Sequence, residues 1–278
     1  MSWTDTIFRR MPLFKGKERL AKFVFTRQIS GKKNRVIKGR FGCEYLVPNI
    51  VENIGFEIFI NGIYEQDTSD FIVRTIPENG VFLDLGANIG AITIPVLTKR
   101  RDLTIVCVEA APWIYHFLEK NLARNGGHSV FAVNKALYDT DNEILNFYSP
   151  DDKFGKGSLS PVFTDKVVQV NTVRTDSLLK DLGIQKVDLI KIDVEGYEYH
   201  AFKGAESLLG RADAPDIIFE FVDWAEEAAN GTTIGASQQF LRDKGYRIYY
   251  FKKSGTMEEV KGILKKGFFM LYATKKNT

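Results

Sequence analysis

Two apolar runs in this chain each end in a carboxylate. Leu189 to Ile192 stops at Asp193, and Ile217 to Phe219 stops at Glu220; Glu195 follows Asp193 by two residues. Carboxylates brought to one point can take a proton from a hydroxyl group. They also repel one another, so at least one is expected to hold its proton more tightly than usual. About a hundred residues upstream, the run Val81 to Leu85 carries Asp84 and opens into Gly86-Ala87-Asn88-Ile89-Gly90. A glycine turn between strand and helix lets a ligand approach the backbone, because no side chain is in the way. A third apolar run, Leu103 to Val108, ends in Glu109, 19 residues past Gly90. An acid at that spacing and at a strand end suits hydrogen bonds to ribose hydroxyls.

These spacings discriminate among ligands. A dinucleotide fingerprint needs a second glycine where Asn88 stands, so a pyrophosphate cradle is excluded. The Gly-Lys-Ser/Thr ending of a phosphate-binding P-loop is absent as well. A nucleoside without phosphates fits better, and S-adenosylmethionine is the common one. Asp84 and the turn backbone would then face its ammonium, and Glu109 its ribose.

Stepping from the residues to what must hold them, alternating apolar and amphipathic segments read as strands near 81–85, 103–108, 129–133, 188–193 and 216–221. Helices are expected near 90–100, 112–124, 176–182, 197–210 and 234–244. Such alternation implies a parallel sheet, and ligands bind outside the carboxyl ends of its strands. Phe56 to Ile60 alternates like a further strand, Asn61-Gly62 reads as a turn, and Asp67-Thr68-Ser69 as caps of a helix over 69–76. Ile144 to Tyr148 and Val167 to Val173 read as strands flanking a long loop, 149–165, a candidate lid over the substrate.

The sequence resembles the FkbM family of S-adenosylmethionine-dependent methyltransferases. The resemblance rests on Gly62-Ile63-Tyr64-Glu65, LDLGANIG (83–90), VEAAP (108–112), KIDVEGYE (191–198), Lys203-Gly204-Ala205 and IIFE (217–220), and spans roughly residues 55 to 275. Family sequences usually carry Glu-Pro after the second strand; here Ala110-Ala111 intervene before Pro112. The resemblance implies a Rossmann-like class I methyltransferase fold: a seven-stranded, mostly parallel sheet with helices on both faces and an antiparallel C-terminal hairpin, for which 246–251 and 267–273 are suited. It implies S-adenosyl-L-methionine as cofactor, held by Asp84, Gly86, Ala87, Asn88, Gly90, Glu109, Ala110 and Asp193. It also places Tyr64 and Glu65 near the cofactor or the acceptor.

Asp193, Glu195 and Glu220 are the candidate catalytic groups for taking an acceptor's proton. The same oxygens would suit Mg²⁺, but no tight Asp-Asp or Asp-Asn pair marks the fifth strand, and no metal ligand is assigned. Lys191 reads as a solvated or snorkelling strand lysine, His200 as a surface or packing residue, and His116 and His128 as residues without a role in chemistry.

Net charge is +3, but residues 1–50 hold twelve Lys/Arg against three Asp/Glu. This divides the chain into a basic arm, 1–54, and a methyltransferase domain, 55–278. Trp3, Ile7, Met11 and Phe14 recur at helical spacing, a stripe expected to pack on the domain or a second subunit; contact with a membrane surface is the competing reading. No apolar run approaches the roughly 20 residues of a membrane span. The opening residues lack a signal peptide's apolar core, and Cys43 and Cys107 have neither metal nor redox spacing, which points to a cytoplasmic location. The expected function is O-methylation of a hydroxyl on a sugar, glycan or secondary metabolite. The alternatives are an RNA-modifying methyltransferase using the basic arm, and a non-catalytic cofactor-binding interaction protein. The arm carries no recognised RNA module.

Overall fold

The computed structural model describes residue 21 and residues 33–127, 130–251 and 257–276. The apolar stripe of Trp3, Ile7, Met11 and Phe14, and His128, lie outside the described residues.

The described chain opens with an antiparallel hairpin, β1 (Lys33–Lys38) and β2 (Glu44–Asn49). Two helices follow, α1 (Asn53–Asn61) and α2 (Gln66–Thr75). The run Phe56 to Ile60, expected as a strand, lies inside α1. The Glu52 side chain accepts the Ile54 N–H at 2.9 Å to start this helix, and Gly62, at φ 73°, ends it. The alternation misleads because α1 is buried on nearly every side, so its apolar residues need not follow a helical period. α2 begins earlier than its Asp-Thr-Ser run implies; Glu65 stands at the N-cap with a left-handed φ of 40°.

The main sheet then unfolds in alternation: β3 (Val81–Leu85), α3 (Thr93–Lys99), β4 (Thr104–Val108), α4 (Pro112–Arg124) and β5 (Val130–Val133). A separate three-stranded sheet interrupts it, built from β6 (Ala136–Leu137), β7 (Ile144–Tyr148) and β8 (Val167–Val173). The core resumes with α5 (Thr175–Asp181), β9 (Leu189–Ile192), α6 (Glu198–Gly204), α7 (Glu206–Gly210) and β10 (Asp216–Val222). α8 (Asp223–Ala228), α9 (Ala236–Asp243), β11 (Arg247–Phe251), β12 (Met257–Glu259) and β13 (Phe268–Thr274) complete it. The helix expected over 197–210 is two helices, broken at Ala205, whose φ of −107° leaves the helical range.

The large sheet runs in the order β12-β11-β13-β10-β9-β3-β4-β5. β10, β9, β3, β4 and β5 are parallel, and β13 is antiparallel to both β10 and β11. This is the Rossmann-like class I methyltransferase fold, with the short β12 as an eighth strand on its edge. All four residues of β9 and all seven of β10 are buried, as expected of central parallel strands covered on both faces. From β3 the chain builds outward through β4 and β5 on one side, then returns to β9 and β10 on the other. The order reverses between β3 and β9, and a crevice forms there at the carboxyl ends of the strands.

The β1–β2 hairpin docks on α4. Asn121 Oδ1 accepts the Leu46 N–H at 2.5 Å, and Asn125 Oδ1 accepts the Glu44 N–H at 2.9 Å. Among the described residues no helix is long and apolar enough to cross a membrane. Cys43 and Cys107 are both free and buried.

Candidate active site

The crevice between β3 and β9 opens into a pocket lined by Gly86, Ala87, Asn88, Glu109, Ala110, Asp193, Glu195 and Glu220. Sequence reasoning named all eight. Asp84 and Gly90 do not line it. The Asp84 side chain is fully buried behind the wall, where its Oδ2 accepts the Thr93 hydroxyl at 2.6 Å. Gly90, at φ 82°, keeps the turn against α3 and α4; a side chain there would press on Leu118 Cδ1 at 3.1 Å.

The turn Gly86–Asn88 is held against both neighbouring strands. The Gly86 and Ala87 N–H groups donate to the Val108 carbonyl at 2.9 Å each. Gly86, at φ 80°, passes so close to the Asp193 carbonyl that a Cβ would sit 1.9 Å from it. Glycine is therefore required twice over, for its dihedral angle and for the contact. Glu109 stands beside the turn, its Oε2 accepting the Asn88 N–H and its Oε1 the Ala111 N–H, both at 2.9 Å. Burial lifts its pKa to about 7 despite these two bonds. The two alanines before Pro112 leave α4 starting at Pro112 and supply one of those N–H groups.

On the opposite wall, Asp193, Glu195 and Glu220 each present a carboxylate oxygen within 4.8 Å of the others. Burial, and then the Asp193 charge, lifts Glu195 to about 7. Glu220 is raised well above the carboxylate range by burial, followed by Asp193 and Glu195. Neighbouring Glu198, which accepts the Val194 N–H at 2.9 Å, is pushed by burial to about 8. Glu195 adopts φ 50°, Asn88 φ 53° and Glu65 φ 40°. All three line the pocket. Left-handed backbone in non-glycine residues costs about 1–3 kcal/mol each and gathers where function over-determines the chain.

Lys191 corrects the sequence reading. It is not solvated; it lies on β9 at the centre of the sheet, with 6% of its side chain exposed. Its ammonium stands 3.3 Å from Asp193 Oδ2, 3.4 Å from the Gly86 carbonyl and 3.9 Å from Asp84 Oδ1. Burial alone would lower its pKa, but Asp193, Asp84 and Glu65 reverse this and hold it charged. Asp84 thus acts through Lys191, joining turn to acid wall, rather than on the pocket directly.

The 149–165 loop crosses the pocket mouth. The Phe154 carbonyl accepts Asn88 Nδ2 at 2.6 Å, Lys156 Nζ meets Glu195 Oε1 at 3.0 Å, and Ser158 Oγ donates to the Glu195 carbonyl at 3.0 Å. Sequence reasoning marked the loop but not Lys156; one lysine in a polar loop carries no signal before the fold brings it to Glu195. Tyr64 and Glu65 also line the pocket. His200 does not. It is buried in a pair with Asp139 at 2.9 Å, bonds the Asn230 carbonyl at 2.7 Å and stacks on Tyr138, a packing residue. His116 is exposed on α4.

A glycine turn after the first strand, an acid ending the second and a crevice at the sheet's switch point define a class I methyltransferase. Residues 84–248 match the methyltransferase FkbM domain, and the chain belongs to that family. It is an S-adenosylmethionine-dependent methyltransferase. It is 28% identical to methyltransferase sdnD of Sordaria araneosa over 52% of this chain and 68% of that one. It is 27% identical to the hexuronic acid methyltransferase AglP of Haloferax volcanii over 52% of this chain and 58% of that one. Among solved structures, precorrin-6y C5,15-methyltransferase from Geobacter metallireducens matches at 14% identity and a TM-score of 0.45, over 77% of this chain and 90% of that one.

Proposed function

We propose that this methyltransferase transfers its methyl group to a hydroxyl of a small polyhydroxylated acceptor, a sugar, glycan or secondary metabolite. The observation that carries the reading is the carboxylate trio of Asp193, Glu195 and Glu220, facing the glycine turn and Glu109 across one pocket. Hydroxyls are the acceptors that need a base, and this trio supplies one, with Glu195 and Glu220 raised in proton affinity by burial. The relative from Haloferax volcanii, whose name gives a hexuronic acid as substrate, supports a sugar.

The pocket fits the donor. The backbone of Gly86, Ala87 and Asn88 offers polar groups to its amino-acid end. Glu109, fixed by two N–H groups, keeps lone pairs for the ribose hydroxyls. Ala110, Ile114, Leu137 and Phe147 form an apolar slot for the base. When bound, S-adenosylmethionine supplies a sulfonium methyl, which passes to the acceptor oxygen while the C–S bonding pair stays on sulfur. Asp193 stands at the junction of the two walls and orients the acceptor. Glu195, near 7, has the proton affinity that suits taking the hydroxyl proton near neutral pH. The 149–165 loop serves as the lid, with Lys156 as its latch to Glu195. The division into an arm, 1–54, and a catalytic domain, 55–278, is part of the proposal, with the arm's hairpin docked on α4.

An RNA acceptor fits less well, because six carboxylates and three lysines line the pocket and would repel phosphates. The test is calorimetry with the donor, followed by transfer of a labelled methyl group to glycan and RNA pools. Label in glycan that survives mild base, as an ether does and an ester does not, is the expected result. Label confined to RNA, or released by base, would refute the hydroxyl reading.

A further inference from the structure

Asp193, Glu195 and Glu220 have more acceptor capacity than the protein uses. Asp193 commits Oδ2 to Lys191, and Glu195 commits Oε1 to Lys156. Glu195 Oε2 is buried with no hydrogen-bond partner among the described residues. Glu220 is 8% exposed and lines the pocket, and its side chain makes no hydrogen bond or ion pair with the described residues. Buried acid oxygens left bare are costly unless a ligand completes them. The donor does not complete them, since its ammonium, sulfonium and carboxylate leave it a single net positive charge, against a pocket of six carboxylates and three lysines.

We propose that Asp193, Glu195 and Glu220 form a binding site for one hard divalent cation, Mg²⁺ or Ca²⁺. The donors are all carboxylate oxygens, the set that such cations select over imidazole or thiolate. The three oxygens lie within 4.8 Å of one another, no farther apart than opposite ligands of a Ca²⁺-sized ion, about 4.6–5.2 Å, so one such ion can reach all three. Glu195 stands at φ 50° next to Gly196 at φ 99°, in a tight turn at the pocket wall. The cation site stands on these oxygens alone. Its use rests on the reading above: a cation here would take the acceptor oxygen as a further ligand and lower the proton affinity of its hydroxyl. The proton would then pass to the carboxylate oxygen left uncoordinated.

The test is titration of the full chain with Mn²⁺, free ion read by electron paramagnetic resonance, without donor or acceptor. One saturable Mn²⁺ per chain is expected, displaced by Mg²⁺ and by Ca²⁺, and the tighter competitor identifies the cation. Glu220→Gln and Glu195→Gln are each expected to weaken Mn²⁺ by at least about tenfold, while donor affinity measured by calorimetry stays within about threefold and certifies the fold. No saturable Mn²⁺ in the wild-type chain, or unchanged affinity in both variants, overturns the site. Because no acceptor is present, that failure is separate from a failure of the hydroxyl reading.

Discussion

The two walls of the pocket are built from the same residue type and treat it in opposite ways. Glu109, on the donor wall, is buried, and each of its oxygens takes a backbone N–H. On the acceptor wall, half-buried Glu195 has one oxygen, Oε2, and buried Glu220 has both oxygens without a hydrogen-bond partner among the described residues. One wall is a finished receptor whose polar groups are already aimed. The other carries acid oxygens without a hydrogen-bond partner among the described residues, and left-handed backbone at Glu195. On the proposed function, the cofactor meets a surface whose polar groups are already engaged, and the reacting group one that gains most when filled. Outside the pocket, the His200–Asp139–Lys203 cluster shows the ordinary alternative, with charges satisfied and no vacancy to fill.

The sharpest break of this comparison is Asp193→Asn. Methyl transfer is expected to fall by about 10²- to 10⁴-fold, with donor affinity much less affected because Glu109 and the glycine turn remain. Equal losses in single-turnover rate and donor binding would merge the two walls into one. Gly86→Ala attacks their seam, since its methyl would collide with the Asp193 carbonyl. Loss of donor binding and roughly 2–5 kcal/mol of stability are expected, read by calorimetry and denaturant unfolding; a wild-type midpoint would show that the contact is soft.

Glu109→Gln should weaken donor binding by about tenfold, the worth of one charge-assisted hydrogen bond. In the wild type, donor affinity should decline as pH falls through about 7, where Glu109 takes up a proton, and the variant should lack that decline. A pH-independent wild type would show that the ribose needs no charge there.

Stability should follow the opposite course. Glu198 at about 8, and Glu109 and Glu195 at about 7, are all raised by burial above their unfolded values. The folded state therefore binds more protons between roughly pH 4.5 and 8, and stability declines as pH rises across that window. Glu198→Gln should flatten the decline; a steeper one would reverse the sign assigned to this carboxyl. The smallest change in stability is expected of Glu195→Gly. It relieves the left-handed backbone and should hold or raise stability by about 1 kcal/mol, while transfer drops. Destabilisation beyond that amount would mean the Lys156 ion pair outweighs the strain.

Much of the donor wall was legible along the chain because its residues are near neighbours. The turn 86–90 and Glu109 belong to one strand–helix–strand unit, whose spacing local geometry dictates. Asp193 and Glu220 were legible as acids at strand ends. Lys191 was not, because a lysine in an apolar run reads the same whether it snorkels or is caged; only burial between Asp84 and Asp193 separates the two. The strand expected at Phe56 to Ile60 failed for a related reason, since a helix buried all round leaves no period to read.

The sequence by itself determined the family, the alternation of strands and helices through the main sheet, and which acids end which strands, because these are properties of contiguous segments. Only the tertiary structure decided that Asp84 sits behind the pocket beside Lys191, that Lys156 comes to Glu195 across 39 positions of chain, and that the Glu220 side chain has no partner among the described residues. Charge neutralisation is a property of what surrounds a group in space. It becomes visible only when the sheet has brought distant segments to one crevice.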